Sequence, residues 1–355
     1  MAYRVLAINP GSTSTKIAVY EGDSPLFETT LRHAPEELSA CADLAAALAF
    51  RRGIVLGALA ERGVPIASLN AVIGRGGMLR PIEGGVYAVN ERMLGDLREK
   101  RYGDHASNLG AFLAKEIAAG ANLPAYIADP VVTDELHDLA RLSGHPEITR
   151  VSVLHALNQK AVAKRYCRGQ NLRYEETNLI VAHMGGGASV GAHEKGRIVD
   201  VNDGLGGDGP FSAQRCGGLP ATGLVRLCLR RNLPAADMIR ELTTRGGLIG
   251  YLGTDDGREI HRRALAGDER ARLVYEGMAY QVSKEISACA AVLKGSVEAI
   301  ILTGGFAYDE LITGWITQRV SFIARVVVMP GEDELRALCE AAIRALSGEE
   351  LPGEY

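Results

Sequence analysis

Two segments 174 residues apart repeat one pattern, and this repeat limits the possible folds more than any other feature of the chain. Val5-Leu-Ala-Ile-Asn-Pro-Gly11 lies over Leu179-Ile-Val-Ala-His-Met-Gly185, so that Asn9 falls on His183, Gly11 on Gly185 and Ala18 on Ala192. Each segment is an apolar run that stops at a polar side chain and a glycine turn. A second apolar run follows each, Ile17–Tyr20 and Val190–His193, and then a third, Leu26–Arg32 and Arg197–Val201. Short β-branched runs bounded by Gly, Ser and Thr read as strands. Similarity of this kind at a fixed spacing reads as duplication.

Downstream of each strand set, helical periodicity alternates with short apolar runs, the pattern of an α/β chain. Helices are expected at Glu36–Arg62 (interrupted near Gly53), Asn108–Ala119, Asp134–Leu142, His155–Tyr166, Leu224–Arg230, Ala235–Thr244, Glu269–Leu293, Leu311–Phe322 and Glu334–Leu346. Further strands are expected at Ala71–Gly74, Val86–Val89, Ala125–Ala128, Ala299–Thr303 and Arg325–Met329. A length of 355 residues suggests about two domains. The expected division is 1–150 and 151–333, with the C-terminal helix 334–355 packing back on the first domain.

Composition bears on function in three ways. The chain carries 42 glycines, against about 25 at average usage, and they cluster in turns next to the apolar runs. A net charge of −4 argues against a generic nucleic-acid binder. The six cysteines stand far apart with no C-x-x-C pair, which reads as reduced thiols rather than a disulfide or zinc framework. No apolar run approaches the length of a membrane span. The first strand begins almost at Met1, leaving no room for a signal peptide, so the expected compartment is the cytoplasm.

Three glycine turns are candidates for a nucleotide, the first two of them for phosphate. Ile8-Asn-Pro-Gly-Ser-Thr-Ser-Thr-Lys16 offers Asn9, Ser12, Ser14 and Lys16 around a turn whose backbone N–H groups suit an anion. The same segment also reads as a polar hairpin. It matches neither the Walker pattern nor G-x-G-x-x-G opening a helix. His183-Met-Gly-Gly-Gly-Ala-Ser189 has the same two readings through His183, Gly185, Gly186 and Gly187. Thr303-Gly-Gly305 follows an apolar strand, where Gly304 and Gly305 are able to lie flat against a nucleoside. Arg75 in Gly74-Arg-Gly-Gly77, His155 ahead of a helix and Arg258 in Thr254-Asp-Asp-Gly-Arg258 are candidates for charge stabilisation, or else a surface arginine, a helix histidine and a surface arginine. Asp129 ends a strand, where open α/β sheets place ligands. Glu332, Asp333 and Glu334 suit the N-terminus of the last helix.

Taken in order, INPGSTSTK, the Arg75 glycine loop, Leu154-His-Ala156, HMGGGAS, GTDDGR and LTGG resemble the acetokinase family over nearly the whole chain. The resemblance implies two related α/β domains of the actin-like ATPase (ribonuclease H-like) type with the active site in a cleft between them, ATP and Mg²⁺, and a homo-oligomer. It implies transfer of the ATP γ-phosphoryl group to a short-chain carboxylate. It places Asn9, Ser12, Ser14 and Lys16 at the transferred phosphoryl group, and His183, Gly185, Gly186 and Gly187 at the nucleotide phosphates. It further implies a phosphoryl contact for His155, a catalytic aspartate in Asp129, an Asp-x-Arg pair in Asp256 and Arg258, and an adenosine motif in Gly304 and Gly305. Glu334 with Asn9 would serve the metal, and Asp129 through water. Arg75 stands where acetate kinases have histidine before Gly-Gly, and Gly186 where they have asparagine; these departures favour butyrate or a related short or branched-chain acid as acceptor. An acetate or propionate kinase of the same family, a sugar or polyol kinase and an actin-like ATP switch are the rival readings.

Overall fold

A computed structural model describes residues 2–355. Residues 2–133 form β1 (Arg4–Pro10), β2 (Ser14–Glu21), β3 (Ser24–Arg32), α1 (Pro35–Ser39), α2 (Leu44–Glu61), β4 (Ala71–Arg75), β5 (Val86–Ala88), α3 (Glu91–Arg98), α4 (Leu109–Ala119) and β6 (Ala125–Ala128). Residues 134–332 form α5 (Asp138–Arg141), α6 (Ala156–Gly169), β7 (Leu179–Met184), β8 (Ala188–Glu194), β9 (Arg197–Val201), α7 (Ala221–Arg231), α8 (Ala235–Thr244), α9 (Gly247–Leu252), α10 (Gly257–Leu265), α11 (Glu269–Val292), β10 (Ala299–Thr303), α12 (Glu310–Val320) and β11 (Arg325–Val328). The last helix, α13 (Glu334–Ser347), returns to the first group. Two compact units result, 1–133 with 333–355 and 134–332. The division expected at 150 falls at 133, because residues 135–150 are tied to β9 and α6. Glu135 accepts from the Ile198 N–H (2.6 Å) and from Lys160 Nζ (2.9 Å), and the His137 N–H donates to Val199 O (2.9 Å).

The two sheets share one topology. The first runs β3-β2-β1-β4-β6-β5 and the second β9-β8-β7-β10-β11. In both, the first strand pairs antiparallel with the second and parallel with the fourth. The registers match Gly76-Gly77, after β4, with Gly304-Gly305, after β10. The second hairpin is one residue shorter: Ala7 faces Ala18, whereas Val181 faces Gly191, so the counterpart of Ala18 is Gly191 and not Ala192.

Alternation along each strand decides which face a side chain meets. Leu6, Ile8, Ile17 and Val72 join a core with α2, α3 and α4. The intervening Val5, Ala7, Asn9, Ile73 and Arg75 face the other way, toward α13, which packs on β1, β2 and β4. In the second unit Ile180, Ala182 and Leu302 pack with α11 and α12, while Leu179, Val181 and Ile301 pack with α6. Each unit therefore has a sheet covered on both faces, as central β1 and β7 require with their fully buried apolar runs.

Four details differ from the sequence expectations. The helix α2 continues through Gly53, because Gly53 is exposed while Leu48, Arg51, Val55 and Leu59 hold a helical stripe against the core. The helix expected over 134–142 shrinks to the single turn of α5, since its first residues bind β9. α3 was not expected, although Asn90 caps it by accepting from the Met93 N–H (2.9 Å). α9 accounts for Gly246–Gly250: Gly247 adopts φ +55°, and the Leu248 and Ile249 N–H groups donate to Ser212 O and Ala213 O, each at 3.0 Å. The long α11 is core, burying Tyr275, Met278, Val282 and Ile286. Among the described residues no helix is long and apolar enough to cross a membrane.

Candidate active site

In the first unit the β1–β2 turn is closed by the Gly11 N–H donating to Ser14 O (2.8 Å). Beneath it lies Arg51, a residue that no sequence motif marks. Its Nη1 donates to Ser14 O (3.1 Å) and Thr15 Oγ1 (2.8 Å), and its Nη2 to Ser12 O (3.2 Å). Two backbone carbonyls and a hydroxyl rather than a carboxylate satisfy the cation, and burial pushes the Arg51 pKa below its ordinary value. Ser12 and Lys16 stay exposed, Ser14 is half-buried, and Lys16 sits directly across from Asn9.

On the α13 face, the carboxylate of one expected site residue joins two others. Glu334, in the first turn of α13, accepts from Asn9 Nδ2 (2.5 Å) through one oxygen and pairs with Arg75 through the other. The sequence made Arg75 a candidate for charge stabilisation, and the resemblance gave Glu334 to a metal; here they engage each other. Asp129, buried at the end of β6, adopts φ +38° and is held by reciprocal bonds with Gly85: its Oδ1 accepts from the Gly85 N–H (2.7 Å), and its own N–H donates to Gly85 O (3.0 Å). Gly85, which no sequence motif marks, thereby holds Asp129 in place.

In the second unit, His183, the last residue but one of β7, lies on the face that α6 covers. His183 Nδ1 lies 2.8 Å from Asn158 Oδ1, and its Nε2 3.4 Å from Glu332 Oε1. Asn158 Nδ2 donates to Gly331 O and Glu332 O (3.3 and 3.0 Å), which turns the amide oxygen toward the ring. His155 occupies the N-cap position of α6, with Nδ1 2.9 Å from Ser189 Oγ. The turn Gly185–Gly187 is closed by the Gly185 N–H donating to Gly187 O (2.9 Å). Arg215 packs under it and donates to Gly204 O.

A cavity of about 900 Å³ opens beside this turn. It gathers five expected residues, Gly185, Gly186, Asp256, Arg258 and Gly305. Arg258 lies in the first turn of α10, a helix that was not among those expected. Asp256 caps that helix by accepting the Arg258 N–H (2.9 Å), so its carboxylate serves the helix. The Arg258 guanidinium has no ion-pair partner among the described residues. The sequence reading missed Gln214, which donates to Asp255 (2.7 Å), and Asp309, which meets His261 Nδ1 (2.9 Å) and accepts from Tyr275 OH (2.7 Å). Asp255 lies inside the GTDDGR motif, between Thr254 and Asp256. Asp309 reads only as a helix cap, and its other partners lie 34 and 48 residues away.

Comparison with known proteins places the whole chain among its relatives. Residues 147–311 match the Acetokinase family. The chain is 51% identical to Butyrate kinase 1 of Clostridium acetobutylicum over 353 residues, covering 99% of both chains. It is 49% identical to Butyrate kinase 2 of the same organism over the full length of both. The structure is similar to acetate kinase of Porphyromonas gingivalis, with a TM-score of 0.77 at 20% identity over 96% of this chain and 99% of that one. At this level of identity over its whole length, the chain belongs to the acetokinase family.

Proposed function

We propose that this protein is a butyrate kinase: it transfers the γ-phosphoryl group of ATP reversibly to butyrate, or to a related short or branched-chain acid, giving an acyl phosphate and ADP. The observation that carries the reading is the cavity of the second unit, where an unpaired Arg258 stands with the Gly185–Gly186 turn and Gly305. Backbone glycines that admit phosphate next to a cation without a partner suit a nucleoside triphosphate.

The chemistry asks for little acid–base help. A carboxylic acid with a pKa of about 4–5, like a glutamate side chain, is already the nucleophile near neutral pH. Its oxygen attacks the γ-phosphorus as the bond to the bridging oxygen of ADP breaks. The difficulty is bringing one anion up to another, so cations dominate the assigned roles. Arg258 and Lys16 offset phosphoryl charge, His155 donates a hydrogen bond to it, and Arg75 meets the acceptor carboxylate, leaving Glu334 to do so. Ser12 and Ser14 line the phosphoryl turn; His183, Gly185, Gly186 and Gly187 take the nucleotide phosphates, and Gly304 and Gly305 the adenosine.

Glu334 and Asn9 supply hard oxygen donors that fit Mg²⁺, with Asp129 acting through water. One or two protein oxygens suffice for an ion that keeps water and takes phosphate oxygens. When bound, it would neutralise phosphate charge. A cytoplasmic location, where ATP is available, and a homo-oligomeric state go with this reading.

The buried Asp129 at a strand end favours one rival, a kinase that deprotonates a sugar hydroxyl. Incubation with ATP, butyrate and hydroxylamine separates the two. Butyryl hydroxamate is expected; ADP release that depends on a sugar, without hydroxamate, would overturn the proposal.

A further inference from the structure

Behind His155 runs a buried chain of polar groups whose directions are fully determined. Ser189 and His193 are completely buried, and so is Gln159. Gln159 lies 3.0 Å from the Ser189 carbonyl oxygen, which only accepts, so the atom facing it must be the amide nitrogen. That nitrogen also donates to Ser189 Oγ (2.8 Å). The amide oxygen then points at His193 Nε2 (3.0 Å), which must carry a proton, and His193 Nδ1 accepts from Tyr174 OH (2.8 Å). Burial, helped by Lys160, holds the His193 pKa down at about 3, so this ring stays neutral and the direction does not reverse.

The chain ends on His155. Ser189 Oγ accepts from Gln159 and, at 3.4 Å, from the His155 N–H. Its own hydrogen has one acceptor, His155 Nδ1 at 2.9 Å. A buried hydroxyl hydrogen left without an acceptor is costly. His155 Nδ1 is therefore a lone-pair site.

We propose that Ser189 and Gln159, backed by His193 and Tyr174, are positioning residues that fix His155 as the neutral tautomer with its proton on Nε2. His155 then meets the phosphoryl group as a neutral hydrogen-bond donor rather than as a cation. This second statement rests on the phosphoryl contact assigned to His155 above; the tautomer itself does not. Ordering the ring in advance serves transfer, because a donor already aimed at developing charge needs no reorganisation during the reaction.

Nitrogen-15 NMR of histidine-labelled protein, with the His155 signal assigned from a His155→Gln variant, reads the tautomer directly. The wild type should show the proton on Nε2, and Ser189→Ala a mixture of tautomers. In the hydroxamate assay Ser189→Ala should lose about 10²-fold in kcat, the scale of one lost donor to a transition-state oxygen. KM for ATP should stay within about threefold, since binding is not the step affected. Ser189→Cys, which keeps a weaker donor, should fall between the two. A wild-type proton on Nδ1 would overturn the proposal whatever the variants do. So would a folded Ser189→Ala with wild-type kcat. If the wild type makes no hydroxamate, the carboxylate-kinase reading fails instead, and the tautomer measurement still decides the chain of hydrogen bonds.

Discussion

The imidazole rings of His155 and His183 lie 3.8 Å apart between centroids and within 9° of parallel. One ring comes from the start of α6 and the other from the end of β7, so helix and strand position them independently. Each is also held by a hydrogen bond at Nδ1, from Ser189 and to Asn158. His183→Ala would remove a stacking surface worth about 0.5–1.5 kcal/mol and leave Asn158 Oδ1 buried without its donor, for about 1–3 kcal/mol more. Urea unfolding should show a loss in that combined range. The hydroxamate assay should show a lower kcat as well as a higher KM for ATP, because His155 loses its neighbour.

Arg258 provides the opposite case, a side chain with a proposed role and no structural one. It is exposed and unpaired, so Arg258→Ala should leave the unfolding midpoint unchanged. Loss of a charge-stabilising arginine in phosphoryl transfer is worth about 10³–10⁵ in rate. Calorimetric ATP binding close to wild type, together with a kcat lower by about 10³, is expected; near-wild-type kcat would remove Arg258 from the mechanism.

Gly110→Ala should destabilise the protein although alanine is the better helix former by about 1 kcal/mol. α4 crosses β4 at a contact of two glycines. A Cβ on Gly110 would fall against the Arg75 backbone, with the Arg75 N only 2.9 Å away. Overpacking of this kind costs typically 1–3 kcal/mol, enough to reverse the sign expected from propensity. Chemical denaturation checks it, and Arg75 at the crossing predicts reduced activity too.

Acid should weaken the fold through His193. Its pKa is about 3 in the folded protein against an ordinary 6.5, because burial disfavours the charged ring. Between these values the unfolded chain binds a proton that the folded one does not, so stability falls as pH drops. The slope from this one group is about 1.4 kcal/mol per pH unit. His33, lowered by burial and by the Arg51 charge, acts in the same direction. Urea midpoints at about pH 7 and about pH 5 should differ less in His193→Gln than in the wild type; equal differences would contradict the assignment.

Arg51→Ala would free three acceptors at the first glycine turn. Hydrogen bonds to a charged donor contribute about 1.5–3 kcal/mol each, and their loss should lower the unfolding midpoint clearly. Arg51→Lys, with a single ammonium in place of a fork, should recover only part of it.

Much of this was legible in the sequence, for a reason that also sets its limit. β1, β4, β7 and β10 are apolar runs ending in glycine, and both signals are local. The second hairpin is shorter by one residue, which no local signal records, so the repeat aligned Ala18 with Ala192 instead of Gly191. The site residues were readable as types and not as pairs. Arg75 and Glu334 meet across 259 positions because α13 packs on the β4 face, a consequence of tertiary packing alone. Arg51 was missed because an arginine on a helix surface looks like any other until the helix is docked. Asp129 was noticed at its strand end, and only the fold shows that Gly85 holds it.

The return of α13 to the first unit also sets an order for folding during synthesis. Residues 134–332 are continuous, so that unit can close its core once they have left the ribosome. The first unit cannot, although its strands are made earlier. Until residues 333–355 emerge, Val5, Ala7 and Ile73 have no helix over them, and Arg75 has no Glu334. The half of the protein that is translated first is therefore completed last. A nascent chain stalled shortly before position 333 should expose an apolar sheet face of the kind that chaperones bind.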